Sequence, residues 1–169
     1  ELIPYLNDNI ITIGVNDASR LFEPNYLVVL NDKKSFIKND RWSYIENYKG
    51  PIFTQLNLDL QNRININLIK DEPLKTENVG YSNNSPYAAI YVAAYMGAKK
   101  IGIIGVDFTD NHFFKETGPH VLTKRLDLID KDYKKIFNLC QVNNIELYNL
   151  SSISKLQSIP KNSIPNFRQ

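Results

Sequence analysis

The sequence predicts a three-layer α/β sandwich built on a mainly parallel sheet. Short apolar runs bounded by Asn, Asp, Gly or Pro read as buried strands, and segments of helical period lie between them. One run, 101–106, carries no charge at all, as a central parallel strand does. Strands alternating with helices at this rhythm call for crossover connections and helices on the sheet faces.

Each element has its own justification. Residues 10–15 are apolar between Asn9 and Asn16 and predict a first strand. Residues 17–22 predict one helical turn stopped by Pro24, and 26–30 predict a second strand ending at Asn31 and Asp32. Phe36, Ile37, Trp42 and Ile45 fall at helical spacing within 33–48, which Gly50 and Pro51 end. Residues 52–56 form a weaker strand pattern, and 63–69 alternates apolar and polar, as a strand with one wet face at a sheet edge does. The polar stretch 70–84 predicts loop. Ser85 and Pro86 then supply a helix start and Gly97 a helix end. The body of that helix is apolar almost all round, which predicts burial; Tyr87, Tyr91 and Tyr95 recur on it at a spacing of four and read as packing residues, as do Met96 and Cys140. A polar loop over 107–122 leads to an amphipathic helix over 123–143, with Leu126, Ile129, Tyr133, Ile136 and Leu139 on one face. Residues 145–150 predict the last strand. The expected organisation is one domain over 1–155 and a loosely ordered tail over 156–169, which holds Pro160 and Pro165.

The composition narrows the function classes. At 169 residues, 43% hydrophobic and 22% charged, the chain has the profile of a globular domain able to bury its own core. Its net charge of +2 is too small to argue for a nucleic-acid partner or a membrane surface. Cys140 is the single cysteine, so an internal disulfide framework and a multi-cysteine zinc site are excluded, and a reducing compartment fits. The longest apolar run, 87–96, is far short of the ~18–20 residues of a membrane span. No signal-peptide pattern opens the chain, and the expected location is cytoplasmic. Asn and Ile make up roughly a quarter of the residues, a compositional bias rather than chemistry.

In an open parallel sheet, ligands bind outside the carboxyl ends of the strands. Three predicted strands end in groups suited to hydrogen bonding: Asn16-Asp17, Asn31-Asp32, and Asp107 after Gly105. Asn and Asp are also ordinary turn formers, so each alone says little. Asn83, Asn84 and Ser85 precede the apolar helix, whose free N–H groups and dipole favour an anion. Together these features have the composition of a nucleotide site: amides for phosphate and a carboxylate for ribose. His120 and His112 lie in the loop after the central strand, where a group titrating near neutrality suits proton transfer. No Cys/His/carboxylate spacing predicts zinc, and no GxSxG, Walker-type or GxGxxG motif is present.

The block 84–108, with Asn84-Ser85-Pro86-Tyr87, a small-residue helix, Gly97, and a strand ending Gly105-Val106-Asp107-Phe108, resembles one shared by two groups. One is the bacterial sialyltransferases of glycosyltransferase family 42. The other is the domain named after the archaeal 6-hydroxymethylpterin diphosphokinases. Residues 13–17 and 28–32 are similar to their two Asn-terminated strands. The resemblance implies a Rossmann-like fold from which the first strand and a Gly-rich turn are missing; the chain opens Glu1-Leu2-Ile3-Pro4 and is expected to be a piece of something longer.

It also implies site residues. Asn16 and Asn31 would meet the phosphate and sugar of a nucleotide donor, Ser85 with Asn84 the phosphate, and Asp107 the ribose, with Gly105 permitting close approach. His120 is the nearest match to the loop histidine that serves the sialyltransferases as general base. Thr109 stands at the first of two places where those enzymes use tyrosine to support the leaving phosphate, and Phe113 or Phe114 stands near the second. The implied function is a nucleotide-dependent transferase, foremost a glycosyltransferase taking a nucleotide-activated sugar to a glycan or small-molecule acceptor, with no cofactor. The alternatives are a magnesium-dependent pyrophosphokinase, with Asp107, Asp17 or Asp32 as metal ligands, and a nucleotide-binding module without turnover. The apolar helix also leaves room for a homo-oligomer interface.

Overall fold

In this computed structural model, the structure describes residues 10–37, 40–82, 84–109 and 124–168. The chain divides into two compact units, one of Glu1–Glu72 with Thr76–Val92 and one of Pro73–Lys75 with Ala93–Gln169. Both are α/β, and every described ladder is parallel.

In the first unit, four short strands pair in chain order: β1 (Ile13–Val15), β2 (Tyr26–Val28), β3 (Ile52–Thr54) and β4 (Arg63–Asn65). The register sets Gly14 opposite Leu27, Leu27 opposite Ile52, and Phe53 opposite Ile64. A 3-10 turn, Ala18–Arg20, follows β1. Two short helices, α1 (Lys34–Ile37) and α2 (Trp42–Glu46), connect β2 to β3. One continuous helix is the expectation for that stretch. Asp40, in a left-handed backbone conformation at φ 52°, stands just before the second helix and is incompatible with an uninterrupted helix. Splitting the helix still buries its apolar residues. Phe36, Trp42, Ile45 and Tyr48 close over Leu27, Val29 and Ile52 to form the core of this sheet.

The alternating run 63–69 is one extended stretch with two partners. β4 lies on β3, and the N–H of buried Ile66 still donates to the Thr54 carbonyl at 3.1 Å. From there the run continues as β5 (Asn67–Ile69) and pairs with β6 (Asn78–Gly80). β6 falls in the stretch expected to be loop, because three residues among polar neighbours carry no readable period. Its Gly80 is forced by packing, since a Cβ there would collide with the ring of Tyr91. That ring is buried and its hydroxyl donates to the Glu72 carbonyl at 2.7 Å.

Helix α3 (Ser85–Tyr95) starts at Ser85 as expected. Tyr87, Ala88, Ile90, Tyr91, Val92 and Ala94 are buried on it. Tyr95 departs from the packing role expected of it and is 58% exposed. Gly97, at φ 90°, reverses the chain after the helix, with Gly97 and Ala98 N–H groups donating to the Ala94 and Ala93 carbonyls.

The second unit is built on β7 (Lys100–Ile103) and β8 (Glu146–Asn149), with α4 (Leu126–Val142) between them in the chain. The amphipathic reading of α4 holds: Ile129, Tyr133, Ile136 and Cys140 are its buried residues. Segment 156–169, expected to be a loose tail, contributes buried Leu156 and Ile159 and ends in a short helix, α5 (Ile164–Phe167), capped by Ser163. A parallel bridge between Asn149 and Lys161 adds the tail to the edge of β8.

Candidate functional site

The predicted residues of the first unit follow the carboxyl ends of its strands. Asn16 is the first residue after β1, and its N–H donates to the Val28 carbonyl at 2.9 Å, beside the end of β2. Its backbone is left-handed, at φ 57°, a conformation Asn tolerates better than most residues. Its side-chain Oδ1 is buried and without a hydrogen-bond partner. Asn31, three residues beyond β2, is exposed. Asn84 is buried, and its carbonyl accepts from the Tyr87 N–H at 3.2 Å in the first turn of α3, directly before half-buried Ser85.

Asp17 has a different role from the open carboxylate anticipated for it. Its side chain is buried and holds two arginines. Arg41 Nε donates to Oδ2 at 2.8 Å while Nη2 donates to Oδ1, a two-pronged pair that joins the start of α2 to the end of β1. Arg20 Nη1 lies 3.7 Å from Oδ2. Hydrogen bonding to Asp17 holds the Arg41 pKa above its ordinary value; burial opposes this, and the charge of Asp17 adds to the rise. A carboxylate taken up this way is not an open metal ligand. Arg20 lies three residues from Asp17 in the chain, whereas nothing in the local sequence marks the pairing with Arg41.

The end of the same sheet also forms a cleft of about 490 Å³, lined by Asp32, Lys33, Trp42, Glu46 and residues 56–60. The Lys33 ammonium lies 4.9 Å from the Trp42 ring centre and 3.8 Å from Glu46 Oε1. The buried indole Nε1 of Trp42 has no hydrogen-bond partner.

In the second unit, the chain leaves β7 through Gly105, at φ 75°, and Phe108, at φ 52°, two left-handed positions flanking Asp107. A side chain at Gly105 would meet open space, so the glycine is required by its backbone angle rather than by crowding. The Val106 carbonyl accepts from Ser154 Oγ at 2.7 Å, and the Asp107 carbonyl from the Lys155 N–H at 2.9 Å. The backbone of this turn is thereby tied down, while Asp107 Oδ1 is buried and has no partner. Thr109 is half-buried two residues on. Fully buried Asn149, at the end of β8, accepts from the Ser151 N–H through Oδ1 and leaves Nδ2 unpaired. His120, His112, Phe113, Phe114 and Asn83 lie outside the described residues.

Among the described residues, no group of three or more His, Cys, Asp or Glu side chains is placed to hold a metal ion. None of the described helices is long and apolar enough to cross a membrane. No protein-family model, curated protein or solved structure matches the chain.

Proposed function

We propose that the protein is a nucleotide-dependent transferase of Rossmann-like, three-layer architecture, acting in the cytoplasm as a glycosyltransferase on a nucleotide-activated sugar. The observation that carries this reading is Asp107. A buried carboxylate oxygen without a hydrogen-bond partner costs about 1–3 kcal/mol or more for a charged group, yet Asp107 keeps one at the mouth of a parallel strand pair. A ribose hydroxyl donated to that oxygen removes the penalty.

In the proposed reaction, an acceptor hydroxyl attacks the anomeric carbon of the donor as the bond from that carbon to the phosphate oxygen breaks. His120 takes the acceptor proton. The products are the glycosylated acceptor and the nucleotide. A donor with a single phosphate requires no metal in this scheme.

A thermal-shift panel of nucleotides, with and without magnesium, tests the reading. A cytidine or uridine nucleotide at about 100 times its Kd is expected to raise the melting temperature by roughly 5–10 °C without magnesium. Asp107→Ala is expected to abolish that shift. Magnesium-dependent release of AMP from ATP would replace the glycosyltransferase with a pyrophosphokinase. No response to any nucleotide at millimolar concentration would overturn nucleotide binding altogether.

A further inference from the structure

The cleft at the end of the first unit's sheet is assembled from three pieces of chain. Asp32 and Lys33 follow β2, residues 56–60 follow β3, and Trp42 and Glu46 come from α2 in the connection between those strands. The cleft therefore opens where parallel sheets receive ligands, outside the carboxyl ends of their strands. Its volume of about 490 Å³ falls in the range of small-ligand sites. The wall formed by 56–60 is fixed in advance. Arg63 Nη1 donates to the Asn57 side chain at 2.7 Å and to the Leu58 carbonyl at 3.1 Å. The Leu56 N–H donates to the hydroxyl oxygen of fully buried Thr54 at 3.0 Å, and Leu58 and Leu60 pack against the core. A loop held in this way loses little freedom when a ligand arrives.

The lining calls for a cation, a hydrogen-bond acceptor and an apolar stem. Its charged residues are three carboxylates, Asp32, Glu46 and Asp59, and one ammonium, that of Lys33. Lys33 is engaged with Glu46 at 3.8 Å, and neither Asp32 nor Asp59 has an ion-pair partner among the described residues. Trp42 is 8% exposed, and its buried Nε1 has no acceptor. A buried donor left unpaired costs about 1–3 kcal/mol, a penalty that a carbonyl oxygen removes. Leu56, Leu58 and Leu60 are half-buried and leave apolar surface for a methylene chain. An inorganic cation meets only the first requirement, and an aliphatic amine only the cation and the stem. A lysine carried on a backbone amide meets all three.

We propose that this cleft binds a lysine side chain presented on a backbone amide, with Asp32 and Asp59 holding the ammonium and Trp42 Nε1 donating to the amide carbonyl. The site is independent of the nucleotide reading, since Asp107 takes no part in it.

Trp42 is the only tryptophan in the chain, so its fluorescence reports on the cleft. The full chain is titrated with Nα-acetyl-lysine amide, with cadaverine and with Nα-acetyl-norleucine amide, followed by Trp42 emission and by calorimetry. The lysine amide is expected to shift the emission and to bind at least about fivefold more tightly than cadaverine, which lacks the carbonyl, or the norleucine amide, which lacks the ammonium. The double substitution Asp32→Asn with Asp59→Asn is expected to weaken lysine-amide binding about fivefold and to leave the norleucine amide unaffected. Undiminished lysine-amide affinity in a double variant that is folded by circular dichroism overturns the proposal. Cadaverine binding as tightly as the lysine amide also overturns it, because the indole then has no role. Binding heat without a change in emission places the ligand elsewhere and overturns it too, as does the absence of both signals up to about 20 mM. If the double variant does not fold, the salt dependence of wild-type binding decides: weakening with ionic strength supports the carboxylate contacts, and no dependence overturns them.

Discussion

Asp17 is the residue on which the polar structure of the first unit turns. The carboxylate accepts from Arg41 in a fork, sits beside Arg20, and joins the end of β1 to the start of α2. Hydrogen bonds to charged groups contribute about 1.5–3 kcal/mol each at most, and both arginines keep some contact with water, which screens the pairs. Asp17→Ala is accordingly expected to cost about 1.5–3 kcal/mol in a urea titration, well short of a fully buried ion pair. A change below 0.5 kcal/mol would mean that the fork contributes little. At this scale the sequence is informative about backbone and poor about pairing. That Asn16 could occupy a left-handed turn after a strand was legible from its residue type. That Asp17 would be spent on Arg41, 24 positions away, was not, because an ion pair between distant residues leaves no local period or motif.

At the scale of elements, the tail shows how a polar side chain can order a segment poor in period. Asp130 on α4 accepts through Oδ1 from the Gln157 N–H at 2.9 Å, the Ser158 N–H at 3.1 Å and the Ser158 hydroxyl at 3.0 Å. These bonds hold the chain where Leu156 and Ile159 enter the core. Asp130→Ala is expected to lower stability by about 1–3 kcal/mol and to raise amide exchange at Gln157 and Ser158 specifically. Uniform exchange along the second unit would count against the staple. The elements most legible in advance were those with many periodic residues, α3 and α4. β6 and α5 are not legible in the sequence because three or four residues cannot display a period, and their existence depends on Asn67–Ile69 and Ser163 supplying partners.

For the whole molecule, two buried acids make stability depend on alkaline pH. Burial pushes the Cys140 thiol from 9.0 up to about 12. Burial first, and then the negative charges of Glu23 and Tyr26, push the Tyr48 phenol from 10.0 to about 12; its hydroxyl donates to the Pro24 carbonyl at 2.8 Å. Both groups have folded-state values above their unfolded ones, so they remain protonated in the fold at a pH where the unfolded chain has begun to ionise. Their contribution is complete below about pH 9 and is lost as pH rises towards about 12. The urea midpoint is therefore expected to decline across that window, and Tyr48→Phe to make the decline shallower. An unchanged slope in Tyr48→Phe would remove Tyr48 from the explanation.

The α/β class, the parallel pairing and the approximate positions of β1, β2, β3, α3, α4 and β8 are properties of the sequence alone. They arise from side-chain period and from bounding residues, both of which act over a few neighbours. Several choices were settled only when the chain closed on itself: the change of partner at Ile66, the interruption before α2, the division into two compact units, and the pairing of Asp17 with Arg41. The hydrogen bonds of Ile66 to Thr54 and of Arg41 to Asp17 join residues 12 and 24 positions apart, and their energy exists only once both partners are in place.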